Sequence, residues 1–194
     1  MTMQTMPNNL KMQPSILLRN GKYFDFLRPQ TSDFTILEIA HGLSNICRFA
    51  GQCKDFYSVA QHSVLVSRVV SPQFALQGLL HDAAEAFIGD IPTPLKQLLP
   101  DYCWLEKNIE QVIFSKFGLP NHLDHSVKQA DLKLLATEQR DLMPAHDDVW
   151  PILKNIQPLR NTVFAVDSHT AREMFLWRYM EITGATGEIP SGVN

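Results

Sequence analysis

Helix-start signals are the sequence feature that most constrains how this chain can fold. At three predicted helix starts a serine or threonine is followed three residues later by glutamate or glutamine: Thr35 with Glu38, Ser58 with Gln61, and Ser126 with Gln129. This spacing is typical of a capping box, in which the two side chains bind backbone N–H groups that the first helical turn leaves free. Because each box precedes a run with apolar residues at helical spacing, the sequence beyond residue 29 predicts helices.

Turn and proline signals organise the rest of the chain. Asn20-Gly21 lies between two apolar-rich arms and predicts a small β-hairpin over residues 16–28. Pro72 after Ser71 predicts a helix start, and Gly89 predicts where that helix stops. The sequence thus predicts an all-α helical bundle with a small N-terminal β-hairpin, irregular from 145 to 165, with helices over residues 36–49, 58–70, 71–88, 101–118, 126–144 and 168–183.

Length and composition predict one globular domain. The chain has 194 residues, of which 45% are hydrophobic and 19% charged, and it contains no repeat or low-complexity run. We expect a single domain over residues 16–183, between flexible tails at 1–15 and 184–194. Residues 1–15 contain no long apolar stretch, so we expect neither a signal peptide nor a membrane anchor there.

Charge and cysteine content narrow the classes of partner. A formal net charge of -3 and a pI near 6.1 argue against non-specific nucleic-acid binding, although a basic pocket for a small anion is compatible with them. The cysteines Cys47, Cys53 and Cys103 are too few and too irregular for a disulfide framework. No segment approaches the roughly 18 apolar residues of a membrane span. We therefore expect a cytoplasmic protein that binds neither nucleic acid nor membrane.

Two histidines and two aspartates form a candidate metal set. His62, the pair His81 and Asp82, and Asp131 lie on three different predicted helices. Imidazole nitrogen and carboxylate oxygen suit zinc or another divalent transition metal, and two aspartates balance the charge of one such ion. A lone histidine on a helix is more often an ordinary surface or core residue, so the hypothesis depends on the combination.

The geometry of the predicted helix limits how the side chains of His81 and Asp82 can approach one metal ion. Neighbours on a helix lie about 100° apart, so both could reach one ion only from an edge of the helix. Gly78, Asp82, Glu85 and Gly89 would form one stripe. Its glycines would leave room for an ion and a phosphate near the backbone.

The residues around this pair resemble a known signature. HDAAE at residues 81–85, followed by GDIPTPLK at 89–96, closely resembles the HDxxE…GDxPTPxK signature of the HD-domain 5'-deoxynucleotidases. The pairs Arg48-Phe49 and Gln61-His62 and the run KQAD at 128–131 match that family in order and approximate spacing. A longer run, over about residues 16–144, is similar to bacteriophage-encoded HD phosphohydrolases, which include dATP triphosphohydrolases. The chain is thus identified as a member of the HD phosphohydrolase superfamily.

The resemblance implies the chemistry at the metal set. It implies one divalent ion (Zn²⁺, Co²⁺ or Mn²⁺) and is compatible with a second ion, Mg²⁺, that accompanies the phosphates. Glu85 and Asp90 would orient the attacking water and transfer protons, and which of the two is the acid stays open. The implied metal ligands are His62, His81, Asp82 and Asp131.

The resemblance also implies substrate contacts. Arg48 and Lys96 would bind phosphoryl oxygens, because phosphoryl transfer needs positive charge on them. Phe49 would pack on the sugar or base. His41 would line the pocket if it faces the same way as Arg48, two turns further along a predicted helix, and a structural role is an equal alternative. The histidines at the ends of helices or in loops, for which we expect no role, are His122, His125, His146 and His169.

The implied function is hydrolysis of a deoxynucleotide at the α-phosphorus. The phage-like run favours a triphosphohydrolase that prefers dATP and releases tripolyphosphate, encoded by a phage and active in the host cytoplasm. The alternatives are a 5'-deoxynucleotidase and, from another class, a catalytically silent nucleotide-binding HD module. The expected partners are the small-molecule deoxynucleotide and further copies of the chain in a homo-oligomer. Candidates for holding the additional phosphates are Arg19, Lys22, Lys54 and Lys107.

Overall fold

Helices make up most of the computed structural model, which describes residues 13–185. Of the flexible tails predicted at 1–15 and 184–194, residues 1–12 and 186–194 lie outside the described part of the chain, and Ser15 begins the first strand. No helix in the described part is long and apolar enough to cross a membrane. The α-helices are α1 (Ile36–Asn45), α2 (Val59–Val69), α3 (Ala75–Leu80), α4 (Glu85–Ile88), α5 (Thr93–Lys96), α6 (Pro100–Lys116), α7 (His125–Leu142) and α8 (Ser168–Thr183).

The predicted N-terminal hairpin is present. Strands β1 (Ser15–Leu17) and β2 (Tyr23–Asp25) pair antiparallel, with Ile16 opposite Phe24. Gly21 takes a φ of 78° in the turn, a conformation that glycine adopts without steric cost. Phe24 carries the hairpin into the core, where its ring stacks on that of Phe87 at a centroid distance of 4.0 Å. An all-α fold with a small N-terminal hairpin is therefore confirmed.

Helix α2 lies between two apolar clusters. On one side, Ala60 and Val64 join the main core, to which α1, α3, α6 and α8 contribute. On the other side, Val66 packs in a smaller cluster with Leu134 of α7. The side chain of His62, on the same helix, is completely buried. A buried polar group costs stability unless it is partnered, so this position of α2 requires polar partners from its neighbours.

Two predicted helices end or break earlier than the sequence suggested. Helix α1 ends at Asn45 and not near Phe49, because Ile46 turns extended and the backbone N–H of Arg48 donates to the Tyr57 carbonyl at 2.8 Å. The predicted helix over 71–88 is a 3₁₀ turn (Pro72–Phe74) followed by α3 and α4, with tight turns at residues 81–84 between them.

The prediction for the two glycines on that helix needs correction as well. A Cβ built on Gly78 would lie 3.0 Å from the Cα of Ser67, so this glycine allows α3 to pack closely on α2. It does not leave room for an ion. Gly89 ends α4 with a φ of 81° and takes the chain towards Asp90.

Candidate metal centre

Four predicted ligands converge from three separate parts of the chain. His62 comes from α2, His81 and Asp82 from the turns after α3, and Asp131 from the second turn of α7. The Nε2 atom of His62 lies 3.3 Å from His81 Nε2, 3.3 Å from Asp131 Oδ1 and 3.6 Å from Asp82 Oδ2. His81 Nε2 lies 3.1 Å from the same Asp82 oxygen. The sequence therefore identified residues that the fold brings to one point.

The spacing of these atoms fits a single divalent ion. Ligand bonds of about 2.0–2.1 Å in tetrahedral geometry place neighbouring donor atoms about 3.3–3.4 Å apart. The four distances of 3.1–3.6 Å lie close to that value. Donor atoms of His62, His81 and Asp131 also all lie within 4.8 Å of one another. A cluster of two imidazoles and carboxylates is thus compatible with a divalent metal, whose identity the geometry leaves unspecified.

Both imidazole rings are oriented by a partner on the opposite nitrogen. Nδ1 of His62 lies 2.5 Å from Glu138 Oε1, and Nδ1 of His81 lies 2.9 Å from the carbonyl oxygen of Gly78. An Nδ1–H that donates to such acceptors leaves Nε2 with its lone pair free for a metal, as is usual for ligating histidines. The two Nε2 atoms are the ones that face the cluster, so the fit includes the orientation of the rings.

Glu138 is the main residue of the site that sequence reasoning missed. It is fully buried on α7, accepts hydrogen bonds from Tyr57 Oη at 2.7 Å and Arg48 Nη2 at 3.1 Å, and contacts His62. Burial raises its pKa, but Arg48 and His62 outweigh that effect and lower the pKa to about 2. Its position seven residues after Asp131, two turns along the same predicted helix, was a signal that could have identified it.

The carboxylates of Glu138 and Asp131 determine the protonation of His62. Burial lowers the pKa of His62, and the positive charge of Arg48 lowers it further. The negative charge of Glu138 and the hydrogen bond to Asp131 outweigh both and raise the pKa to about 9. The cluster therefore attracts positive charge strongly, which is the electrostatic property that a cation site needs.

A cavity of about 230 Å³ opens beside the cluster, and Glu85 and Lys96 line it together with His81 and Asp82. Glu85 is buried, and its Oε2 has no hydrogen-bond partner among the described residues. Burial, followed by the negative charges of Asp82 and Asp90, raises the pKa of Glu85 well above its usual value.

Asp90 lies close enough to this cavity to interact with its charges. Burial raises the pKa of Asp90, and among the nearby charges Arg48 lowers it while Asp82 raises it. Lys96 donates to Glu85 Oε1 at 3.3 Å and to Glu106 Oε1 at 2.6 Å. Glu106 was not expected from sequence, because only the packing of α5 on α6 brings it to Lys96.

Arg48 lies between the metal cluster and Glu138. Its guanidinium is buried, with Nη1 3.6 Å from Asp82 Oδ2 and Nη2 3.1 Å from Glu138 Oε2. Its Nε is buried without a hydrogen-bond partner among the described residues. Phe49 follows at a φ of 55°, and its ring centroid lies 5.4 Å from the Arg48 Cζ. Both predicted contacts therefore lie at the edge of the site.

His41 is not brought to the cluster. Because α1 ends at Asn45, the inference that His41 and Arg48 share one helical face is wrong. Within the described chain, the hydrogen-bond partners of His41 are residues of its own helix, with Asn45 Nδ2 3.4 Å from its Nδ1. Burial lowers its pKa. The contacts of His41 therefore favour the structural role over the pocket-lining role.

The candidates for additional phosphates are dispersed. Lys22 pairs with Asp33 beside the hairpin, and Arg19 is exposed nearby. Lys54 Nζ lies 3.5 Å from the backbone oxygen of Asp141. Lys107 lines the 230 Å³ cavity and pairs with Glu110 at 2.8 Å. Only Lys107 therefore lies beside the site.

Part of the chain is similar to known 5'-deoxynucleotidases, which indicates its class of protein. Segments of this chain and of 5'-deoxynucleotidases from Yersinia pestis and Yersinia pseudotuberculosis are 32% identical over 90 residues, 45% of this chain. The chain spans only 46% of the length of those proteins, about half. This partial similarity, together with the His/Asp cluster, supports an HD-type phosphohydrolase relationship.

A second comparison identifies the family itself. The chain is 46% identical over 166 residues to the uncharacterized protein YfdR of Escherichia coli K12, which covers 84% of this chain and 93% of YfdR. The chain belongs to the YfdR family. It is also 36% identical over 121 residues to an uncharacterized protein of Rhodobacter capsulatus, which covers 57% of this chain and 62% of that protein. No protein-family model matches the chain.

Proposed function

We propose that this protein is a metal-dependent phosphohydrolase that removes the 5'-phosphate from deoxynucleoside monophosphates. The observation that carries the proposal is the set of donor atoms on His62, His81, Asp82 and Asp131, whose neighbours lie 3.1–3.6 Å apart. Two of these residues, His81 and Asp82, line a cavity together with a lysine and a buried glutamate. The partial similarity to 5'-deoxynucleotidases supports the same chemistry.

The protein's own groups match the steps of phosphate hydrolysis. A divalent ion bound by the four ligands would polarise a phosphoryl oxygen and lower the pKa of water. Lys96 lines the cavity and Arg48 lies 3.6 Å from Asp82, so both can stabilise the charge that develops on the non-bridging oxygens. Glu85 and Asp90 are the carboxylates next to the ligands, and they orient the attacking water and protonate the leaving 5'-oxygen.

Charge balance favours a monophosphate over a triphosphate. Each of four cations at the site already has an acidic partner. Arg48 has Glu138, Lys96 has Glu106, Lys107 has Glu110, and Lys128 has the proposed ligand Asp131. A triphosphate brings two more phosphates, and it needs positive charge that such pairs largely neutralise. A substrate with one phosphate requires only the ion, Arg48 and Lys96.

The dATP triphosphohydrolase is the second candidate. Lys107, which lines the cavity, favours it. The two activities differ in their products, because a triphosphohydrolase releases deoxyadenosine and intact tripolyphosphate from dATP. A 5'-deoxynucleotidase releases deoxyadenosine and orthophosphate from dAMP.

Product analysis by chromatography tests both candidates. Protein loaded with Zn²⁺, Co²⁺ or Mn²⁺ is incubated with dAMP and, separately, with dATP; we expect turnover of dAMP. Tripolyphosphate from dATP, with dAMP intact, would replace the proposal by the second candidate. Asp82→Asn should abolish turnover, whereas Asp101→Asn, an exposed aspartate on α6, should not. Nucleotide binding without turnover in both the parent protein and Asp82→Asn would instead indicate a silent binding module.

A further inference from the structure

Trp150 contacts the edge of the candidate site from a segment to which the sequence assigned no role. Its ring lies 6.1 Å from that of Phe49, centroid to centroid, with an interplanar angle of 49°. It precedes the 3₁₀ turn Pro151–Leu153 in the irregular stretch between α7 and α8. Both rings are partly exposed, so each keeps aromatic surface available for a ligand.

Phe49 connects Trp150 to the metal cluster. The Arg48 guanidinium lies over the Phe49 ring at 5.4 Å and approaches Asp82 at 3.6 Å. Phe49 has a φ of 55° and Ala50 a φ of 51°, conformations that are unfavourable for residues with a Cβ. Such strain persists where the surrounding structure enforces it, and it is frequent at ligand sites. The backbone here turns the Phe49 ring towards Trp150 while Arg48 points at the cluster.

Trp150 also contacts His146, which approaches a residue of the helix that carries Asp131. The His146 ring stacks on Trp150 at a centroid distance of 5.9 Å and an angle of 16°. Its Nε2 lies 3.3 Å from Gln139 Nε2 of α7. The rings of Phe49, Trp150 and His146 therefore form one aromatic wall that is attached at both ends to elements of the metal centre.

We propose that this aromatic wall stacks against the nucleobase of the substrate, with Trp150 as a residue that determines specificity for nucleotides over sugar phosphates. The inference rests on the proposed function. A nucleotide whose phosphate is bound by Arg48 and the cluster extends its sugar and base away from the ion, and the wall begins one residue from Arg48. Stacking requires only the π-face of a base, so the wall selects for the presence of a base more than for its identity.

Turnover of two substrates tests this role. The metal-loaded protein and its variants are assayed with dAMP and with 2-deoxyribose 5-phosphate, which has no base. Trp150→Ala should lower kcat/KM for dAMP roughly 5- to 100-fold and leave the value for the sugar phosphate unchanged. Trp150→Phe should retain most of the activity with dAMP. The control is Trp177→Ala, which removes a 62% exposed indole on α8. Equal losses with both substrates would overturn the inference, because they indicate a structural role.

Fluorescence makes the inference testable even without turnover. Trp104→Phe with Trp177→Phe leaves Trp150 as the sole tryptophan of the three in the chain. Its emission should change on titration with dAMP and not with 2-deoxyribose 5-phosphate. Loss of turnover with this emission change intact would contradict the proposed function alone. Emission that is insensitive to dAMP would overturn the role of Trp150, whatever the activity.

Discussion

At the residue scale, one carboxylate connects the groups that define the candidate site. Glu138 uses Oε1 for Tyr57 and His62 and Oε2 for Arg48, so both oxygens of a fully buried group are partnered. A buried ion pair of this kind contributes little when complete, but removing one partner leaves an uncompensated charge. Glu138 is therefore more important for orientation than for net stability. Its loss would release the ring of His62 and the guanidinium of Arg48 together.

Replacing Glu138 by glutamine should weaken metal binding about 10- to 100-fold, because partners of this kind typically contribute that much to metal affinity. The buried Arg48 loses the nearer of its two carboxylate partners and keeps only Asp82 at 3.6 Å, so we also expect the free energy of unfolding to fall by about 3 kcal/mol. Isothermal titration with Zn²⁺ and urea unfolding measure the two effects. Tyr57→Phe keeps the carboxylate and should cost about 1 kcal/mol with little change in metal affinity. Unchanged affinity in Glu138→Gln would contradict the orienting role.

The raised pKa of His62 predicts a pH-dependent stability in the presence of a chelator. Its pKa is about 9 in the folded protein and 6.5 in the usual unfolded environment. The folded state therefore binds the extra proton, so the stabilisation is complete below pH 6.5 and is lost as the pH rises through 9. We expect the free energy of unfolding to fall by up to about 3 kcal/mol across this window.

Urea unfolding between pH 6 and 9.5 measures this change. His62→Gln should reduce the slope, and the exposed His122→Gln should keep it. Glu85, whose pKa burial raises well above its usual value, also loses stabilisation as the pH rises, so part of the slope should remain. Two other groups change stability outside most of this pH range. His41, whose pKa is lowered, affects stability below pH 6.5, and Cys53, whose pKa burial raises to about 11, affects it near pH 9 and above. A stability that does not change between pH 6.5 and 9 in the parent protein would contradict the assigned protonation of His62.

At the element scale, the two adjacent ligands lie in turns between α3 and α4 and not in a regular helix. The backbone N–H groups of Ala83 and Glu85 donate three residues back, to Leu80 and Asp82, and not four. Within these turns the Nε2 of His81 lies 3.1 Å from the Oδ2 of Asp82. A regular helix, as the sequence predicted, would have presented them from one edge.

The sequence located helix starts better than helix ends. Thr35 forms a complete capping box with Glu38, and Ser58 accepts from the Gln61 N–H, since capping is local chemistry within one turn. The box predicted at Ser126 is wrong, because Asp124 caps α7 two residues earlier. The end of α1 depends on a bridge between Cys47 and Ser58, which no local pattern encodes. The metal ligands were found because they lie in a local sequence motif. Glu138 and Glu106 were missed because only tertiary packing brings them to the site.

Close packing of α1 on α4 gives a prediction at this scale. A Cβ on Gly42 would lie 2.5 Å from the Ala86 backbone oxygen, so Gly42→Ala must separate the two helices. We expect a loss of about 1–3 kcal/mol in the free energy of unfolding, and a lower kcat because α4 carries Glu85. Gly78→Ala meets its nearest neighbour at 3.0 Å, so its clash is smaller and it should cost less. The helix propensity of alanine, about 1 kcal/mol, helps both variants. Urea unfolding of both variants checks the order; the reverse order would contradict the packing argument.

At the scale of the whole molecule, side chains of the site helices also hold the long segment between α7 and α8. Gln61 donates to the Phe164 carbonyl at 2.7 Å and accepts from the Val166 N–H at 3.0 Å. Arg140 donates to the Leu159 carbonyl at 2.7 Å. Because Gln61 precedes His62, the segment that contains Trp150 is fixed to the same helix as a metal ligand. The predicted homo-oligomer stays a prediction at this scale.

The convergence of ligands from α2, the turns after α3 and α7 predicts that a bound ion stabilises the entire fold. Binding to the folded state alone adds about 2.7 kcal/mol at a free-ion concentration of 100 times Kd. For a chain of this size that amounts to a rise in Tm of about 5–10 °C. Differential scanning calorimetry with buffered Zn²⁺ and with a chelator measures it. His81→Ala should lose the response, and His169→Ala, with a 74% exposed ring on α8, should keep it. The unfolded chain cannot hold ligands from positions 62, 81, 82 and 131 together, so the ion should bind the folded state alone. A Tm that is insensitive to every divalent ion would therefore argue against the metal centre itself.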